Sequence, residues 1–160
     1  MTMYCKKLFI VFYFIICACC IFACDPSISK SENIIKEIEI ENYQPVSIIT
    51  SKVNKNGTLS NLAVANAELL ILTNNEGNGW NMNTGDCFDF TFEKEESHIK
   101  NQQIIIGYIH DGTLTDGEVY ASLTGNYIYT VEEEGTYYLY IIGASSDDVL
   151  LKDCNLKITD

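Results

Sequence analysis

The chain has 160 residues, with 22 acidic side chains against 10 basic ones and a formal net charge of −12. This length allows one domain once a leader segment is subtracted. Every basic side chain is lysine, and so acidic a surface repels the phosphates of nucleic acids and of anionic lipids. Nucleic acid is therefore not expected as a partner.

The first residues differ in character from the rest. Lys6 and Lys7 precede sixteen uncharged residues, Leu8 to Ala23. A bilayer span takes about 20 residues, so a run of this length is typical of the hydrophobic part of a signal peptide. All 22 acids follow Cys24, and with eight lysines the exported part carries a net charge of −14.

The segment Ile21–Cys24 reads Ile-Phe-Ala-Cys and resembles the lipobox of bacterial lipoprotein precursors. The resemblance implies that residues 1–23 are a signal peptide and that the thiol of Cys24 takes the lipid. Phe22 departs from the small or aliphatic residue usual at its place, and Ile16–Cys19 is a second match. An uncleaved anchor and cleavage without lipid are the alternatives. In every case the remaining chain lies outside the cytoplasm, and we expect it lipid-anchored at the outer face of the cell membrane.

Residues 24–42 are polar and predict a tether, with a first strand at Ile38 to Ile40. From Val46 onward, short apolar runs rich in β-branched and aromatic residues alternate with turn signals about every 8 to 15 residues. This pattern predicts an all-β fold, a small antiparallel, jelly-roll-like β-sandwich over residues 43–160. The predicted strands are Val46–Val53, Leu59–Thr73, Cys87–Glu93, Gln103–His110, Glu118–Leu123, Tyr127–Val131, Tyr137–Ile142, Val149–Leu151 and Leu156–Ile158. Within the second of them, Leu62 to Leu72 also has helical spacing, and we expect strand.

Strand parity predicts the core. Phe88, Phe90 and Phe92 should share one inward face, and Tyr137, Leu139 and Ile141 should do the same on a later strand. The acidic turn 132–135 predicts that the strands on either side of it pair as an antiparallel hairpin.

A tyrosine surface follows from the same parity. Tyr138 and Tyr140 should face outward, beside Tyr127 and Tyr129 on the partner strand of the hairpin. Tyrosines on one exposed face can stack on sugar rings or accept a peptide. The alternative is that these aromatic pairs only stabilise the sheet.

From Leu70 to Ile158 the order of features resembles the GOLD-type and pre-peptidase-type β-sandwiches. Gly85-Asp86 leads a core strand, and Gly135-Thr136-Tyr137 opens a later one. The chain is also similar to small extracellular β-domains of membrane sensor peptidases in low-GC Gram-positive bacteria. Gly143 departs from the pattern, because a member normally has Asn there. The resemblance implies a fold and no activity.

The sequence predicts no catalytic or metal-binding motif. His98 and His110 lie outside any H-E-x-x-H motif, and the chain has no G-x-S-x-G elbow, P-loop or G-x-G-x-x-G. We therefore expect no enzyme, no cofactor and no dedicated metal site. Calcium remains an open alternative at two acidic loops, since hard cations bind clustered oxygens. These loops contain Asp111, Asp116 and Glu118, and Asp147, Asp148 and Asp153.

Two cysteines, Cys87 and Cys154, remain after the leader. Export permits a disulfide between them, but parity places Cys87 opposite the phenylalanine face and Cys154 on the face of Leu156. The bridge therefore stays open.

The sequence predicts a non-catalytic ligand-binding or sensing module at the cell surface, whose ligand is a glycan or a surface protein. The alternative is an accessory or inhibitory protein that docks on a membrane-bound partner such as a sensor peptidase.

Overall fold

The computed structural model describes residues 44–159. The predicted leader, the lipidated Cys24 and the strand at Ile38 to Ile40 lie outside this range and stay predictions. The described residues form eleven β-strands, and no helix between residues 44 and 159 is long and apolar enough to cross a bilayer. The strands are β1 Ser47–Lys52, β2 Leu62–Val64, β3 Glu68–Thr73, β4 Trp80–Met82, β5 Cys87–Lys94, β6 Ile104–His110, β7 Thr113–Leu114, β8 Glu118–Tyr120, β9 Thr124–Thr130, β10 Gly135–Gly143 and β11 Val149–Thr159.

The strands form two sheets, which confirms the all-β sandwich. The seven-stranded sheet runs β1-β3-β10-β6-β7, with β4 also paired to β10 and β8 to β6. The four-stranded sheet runs β2-β11-β5-β9. All pairs are antiparallel except β1 with β3, which are parallel.

The main core lies between the two sheets. Phe88, Phe90 and Phe92 from β5 pack inward against Leu139 and Ile141 from β10, as parity predicts. Tyr137 lies in the same cluster. Burying such side chains stabilises the fold by about 1.5–3 kcal/mol each.

The larger sheet also has a packed outer face. Leu69, Ile71, Tyr140 and Ile142 form a second buried cluster there, together with Ile109. Side chains alternate between the two faces of a strand, and both faces of β3 and β10 are buried. The two strands are therefore almost continuously apolar.

The predicted hairpin across residues 132–135 is wrong. β9 pairs with β5 in the smaller sheet, whereas β10 pairs with β3, β4 and β6 in the larger one. The acidic turn therefore crosses from one sheet to the other. The turn signal in the sequence is the same for both connections, so only the packing decides between them.

β11 is one strand where two were predicted, because a β-bulge joins them. The register shifts between Lys152 and Asn155, and Asp153 takes a left-handed conformation with φ 51°. The extra residue changes the parity, so Leu151 before the bulge and Leu156 after it both face the core.

Gly143 ends β10 at a close approach to the chain before β3. A Cβ at this position would overlap the carbonyl oxygen of Ala65. Ala67 donates its backbone N–H to the Gly143 carbonyl at 2.8 Å. Only glycine fits this contact without a backbone shift.

Candidate functional site

The candidate site begins with a lysine on a core-facing position. Phe88, Phe90 and Phe92 occupy alternate inward positions of β5, and Lys94 is the next residue on that face. Its exposure is only 2%. An ammonium removed from water is unfavourable unless it is paired, so the partners of Lys94 decide what this position does.

Two neutral carbonyl groups hold the ammonium of Lys94. Its Nζ donates to the carbonyl oxygen of Gln102 at 2.5 Å and to that of Tyr120 at 3.1 Å. Neither ion pair formed within residues 44–159 involves Lys94. Burial accordingly lowers the pKa of Lys94. The ammonium has three N–H groups, and two of them have these acceptors.

Lys94 lines a cavity of about 340 Å³ at one end of the sandwich. The other lining residues come from the β5–β6 loop and from the segment between β8 and β9. The charged members are Lys100 and Glu96, and the polar ones are Ser97, Asn101 and Gln102. The apolar members are Ile99, Ala121 and Leu123, and all three are exposed.

The cavity has a net positive lining within an acidic domain. Residues 44–159 contain six lysines and sixteen acids, which gives a net charge of −10 with neutral histidines. Two of those lysines and a single acid line this cavity, a local charge of +1 when Lys94 is protonated. A positive cavity in an acidic domain favours an anionic group over a cationic one.

Hydrogen bonds hold the wall of the cavity in place. Ser97 donates its hydroxyl to a carboxylate oxygen of Asp147 at 2.8 Å. Gln102 donates its amide to the Asp148 carbonyl at 3.1 Å. The side chain of Gln102 also bonds the Asp147 carboxylate, and this bond, followed by the one from Ser97, lowers the pKa of Asp147. Asn101 turns the loop with a left-handed φ of 65°, which asparagine adopts more readily than most residues. The cavity is thus largely preformed.

The predicted tyrosine surface does not form, because its four tyrosines do not share one face. Tyr127 and Tyr129 lie on β9 of the smaller sheet, whereas Tyr138 and Tyr140 lie on β10 of the larger sheet. Tyr127 is buried in the main core, and Tyr129 packs against that core. Tyr138 and Tyr140 do point to the opposite face from Tyr137, as parity predicts. Tyr140 is buried there, and its hydroxyl donates to the Thr115 carbonyl at 2.6 Å. Binding by these four residues stays untested.

Aromatic rings close the side of the sandwich where the two sheets meet. Tyr108 of β6 stacks on Tyr129 of β9, with ring centroids 3.9 Å apart. His110 stacks on Tyr137 at 4.2 Å, and the Tyr137 hydroxyl donates to the Glu133 carbonyl. The Tyr108–Tyr129 stack packs between the two sheets, whereas His110 and Tyr137 are register partners within the larger sheet.

A smaller cavity of about 250 Å³ lies beside Trp80. Trp80 is half-buried and meets Phe88 edge-on at 5.7 Å. Asn74 also lines this cavity, but its amide donates to the Gly79 carbonyl and its oxygen accepts the N–H groups of Glu76 and Asn78. That amide is used within the turn. The cation that lines this cavity, Lys55, is exposed, whereas Lys94 is buried.

The histidines and acidic loops stay apart from one another. His98 is exposed, and His110 lies 3.4 Å from Asp111 at the end of β6. Within the described part of the chain, no group of three or more His, Cys, Asp or Glu side chains is arranged to hold a metal ion. The two acidic loops considered for calcium therefore do not form such a group.

Cys87 and Cys154 are both free thiols. Cys87 begins β5 and is opposite Thr159 in the register, five residues along β11 from Cys154. Five strand residues span roughly 16 Å, well beyond the reach of a disulfide. The bridge left open by the sequence is not formed. Burial, with a smaller contribution from Asp153, raises the pKa of Cys154 to about 12.

The sequence did not indicate Lys94 as a site residue, because the predicted strand ended one residue earlier, at Glu93. The available signal was parity: Lys94 lies two residues after Phe92 and shares its face. Lysines that continue an apolar face usually extend to solvent, so the sequence alone does not predict burial.

The comparisons with known proteins found similar solved structures but no matching family. No protein-family model matches the chain, and no curated protein matches it. Among solved structures, the pre-peptidase C-terminal domain of collagenase from Bacillus anthracis is similar, with a TM-score of 0.39 and 13% sequence identity. The match covers 74% of this chain and 100% of that one.

Proposed function

We propose that this protein is a lipid-anchored module at the outer face of the cell membrane that binds a small ligand without catalysing a reaction. The leader, the match at Ile21–Cys24 and the acidic exported part support the location. The binding role depends on one observation, the preformed cavity with the buried ammonium of Lys94 and no carboxylate paired to it. Such a cation is a ready partner for an anionic group of a ligand, because a charge removed from water is unfavourable unless it is paired.

Lipidation is tested by mass spectrometry of the intact protein purified from membranes. We expect a mature chain that begins at an acylated Cys24. Cys24→Ser should leave the protein unprocessed, whereas the matched change Cys19→Ser, at the cysteine of the second match, should alter neither the cleavage site nor the acyl mass. A mature protein that carries no lipid would contradict the location proposed here, and one that begins at an acylated Cys19 would contradict the choice of Cys24.

Ligand binding is tested on the same membrane-purified protein in detergent. A set of small acids, sugars and peptides is scored by the shift in thermal midpoint, because a ligand that binds only the folded state stabilises it. Glycans are included since the tyrosines were predicted to stack on sugar rings. If no compound shifts the midpoint of the wild-type protein, the binding role is wrong.

The docking alternative is favoured by a different feature, the outer edge of β9, where no strand pairs and the Tyr120 hydroxyl donates to the Asn126 carbonyl at 3.0 Å. This strand ends the smaller sheet, and its seven residues include no charged residue and no proline. Edge strands usually carry charges, bulges or prolines that prevent pairing with another chain. An uncharged edge can accept an extended segment of a membrane-bound partner by strand addition.

Docking is tested by cross-linking in intact cells. Asn126→Pro removes a backbone donor from β9, and we expect it to abolish a cross-link to a membrane protein. Ser60→Pro, an exposed change outside the strands, is the control for any general effect of proline. Equal cross-linking by both variants would exclude the β9 edge as the docking surface.

A further inference from the structure

We propose that the cavity at Lys94 recognises a carboxylate attached to a short apolar group, with the ammonium of Lys94 as the group that binds the carboxylate. This inference rests on the proposed function and narrows it to one class of ligand. It is carried by the partners of Lys94, the charge of the cavity and the position of its apolar residues.

The partners of Lys94 indicate an anion. Both described acceptors of Nζ are neutral carbonyl oxygens, and Lys94 itself lines the cavity. A carboxylate in the cavity supplies an acceptor for the third N–H and neutralises the buried charge. A hydrogen bond between charged groups in such a desolvated place is stronger than one between neutral groups.

The charge of the cavity favours a single negative charge. Glu96 opposes anions, and so does the Asp147 carboxylate that Ser97 bonds behind the wall, while Lys100 offsets one of these charges at the exposed end. The direct hydrogen bond of the Lys94 ammonium therefore has to hold the ligand, and it can balance one carboxylate. A phosphate or sulfate dianion would carry an excess charge inside a domain that is already acidic, so we expect it to bind more weakly.

The apolar lining residues define the rest of the ligand. Ile99 and Leu123 are 40% and 49% exposed, and Ala121 lies between β8 and β9. A short aliphatic group on the ligand would cover these side chains and bury their apolar surface. At about 340 Å³ the cavity has room for a few residues of a peptide at most.

Two sources supply this chemistry: the C-terminal carboxylate of a short peptide and a free aliphatic acid. The probes are N-acetyl-alanyl-alanine for the first and butyrate for the second. Each has a neutral partner of nearly the same shape, N-acetyl-alanyl-alanine amide and butyramide. Tighter binding of the peptide identifies a peptide terminus, and equal binding identifies the carboxylate and its apolar group as sufficient.

The test is a titration of the full mature protein, labelled with ¹³C at the lysine ε-carbons, followed by NMR. The acids should shift the Lys94 resonance in the wild-type protein, and the amides should bind roughly 10- to 100-fold more weakly, because they lack the charge-assisted bond. This readout needs no variant, so it stands even where a substitution disturbs folding. If acid and amide bind equally, or if Lys94 does not respond, the inference is overturned.

Variants give the second arm. Lys94→Met keeps the length of the side chain and should weaken binding of the acids by roughly 10- to 100-fold. Lys100→Gln, at the exposed end, should weaken it by less than about fivefold. Lys152→Met is the control, since Lys152 pairs with Glu93 outside the cavity, and it should leave binding unchanged.

The outcomes separate the two proposals. If the amides bind as tightly as the acids, measured by the lysine resonances or by the shift in thermal midpoint, the binding module stands but the carboxylate inference is wrong. If neither these probes nor any compound of the wider set binds, both fail. Strong binding of inorganic phosphate with no response to the acids would also overturn the choice of a monoanion.

Discussion

The two sheets share one core, but the outer face of the larger sheet is buried and that of the smaller sheet is largely exposed. In β3 and β10 of the larger sheet, nearly every residue from Leu69 to Thr73 and from Leu139 to Gly143 is buried. In β5 and β9 of the smaller sheet, buried and exposed residues alternate, so Thr91 and Ile128 face solvent. Continuous apolar runs thus mark strands packed on both faces, and alternation marks strands packed on one.

The largest expected effect is at Gly143, where the larger sheet approaches the chain before β3. In Gly143→Ala the new Cβ would overlap the Ala65 carbonyl oxygen, so the backbone must shift. We expect the free energy of unfolding to fall by about 4 kcal/mol or more, measured by urea denaturation.

Gly85→Ala is the matched control for this change. Gly85 has a left-handed φ of 99°, and a Cβ added there would meet no atom within 4 Å, so only conformational strain applies. We expect a loss of about 1–2 kcal/mol there. If the two alanine variants lose the same free energy of unfolding, steric overlap is not the reason why position 143 needs glycine.

A leucine pair tests the two outer faces directly. Leu69 lies fully buried on the outer face of the larger sheet, whereas Leu150 is 44% exposed on the smaller sheet. Leu69→Ala should lower the free energy of unfolding by about 3 kcal/mol, because it leaves a cavity. Leu150→Ala should change it by no more than about 0.5 kcal/mol. Similar values for the two variants would show that the outer faces do not differ.

The fold class could be predicted from the local sequence pattern. The wrong predictions concern strand pairing and a bulge, which depend on how the sheets pack. Phe88, Phe90 and Phe92 alternate, and that period alone places them inward. The partner of β9 could not be predicted, because an acidic turn such as 132–135 fits a hairpin and a crossover equally well. The bulge at Asp153 was missed because its left-handed residue is not glycine, the usual sign.

The candidate site was the least predictable part of the molecule. Sequence reasoning chose Tyr127, Tyr129, Tyr138 and Tyr140 because it paired β9 with β10, and that error brought four tyrosines onto one predicted face. Lys94 was not chosen, since its burial depends on carbonyl groups supplied by Gln102 in the following loop and by Tyr120, 26 residues away. Such partners follow only from the folded loops.

Alkaline pH tests the region between the two sheets. Burial, followed by the hydrogen bond with Tyr129, raises the pKa of Tyr108 from 10.0 to about 12. Burial also raises the pKa of Tyr127. The folded state favours the neutral phenols, so their contribution to stability is fully present below pH 10 and lost as pH rises through 12.

We therefore expect the urea midpoint to fall between pH 10 and 12 and to fall less in Tyr108→Phe. A second variant, Tyr138→Phe, changes a half-buried tyrosine on the outer face of the larger sheet and serves as the control. A wild-type midpoint that stays constant over this range, or an equal response of both variants, would place the alkaline sensitivity elsewhere.

The smallest effect is expected at the two cysteines, which lie on opposite faces of the smaller sheet. Cys154 faces the core, and its thiol has a pKa raised to about 12, whereas Cys87 is half-buried and begins β5. A thiol reagent at pH 8 should modify Cys87 in the native protein and reach Cys154 only on unfolding, because the thiolate is the reactive form. Cys87→Ser should change the free energy of unfolding by no more than about 0.5 kcal/mol, since no disulfide is lost. Equal labelling rates would show that burial does not protect Cys154, and a large loss in Cys87→Ser would indicate a bridge formed in the exported protein.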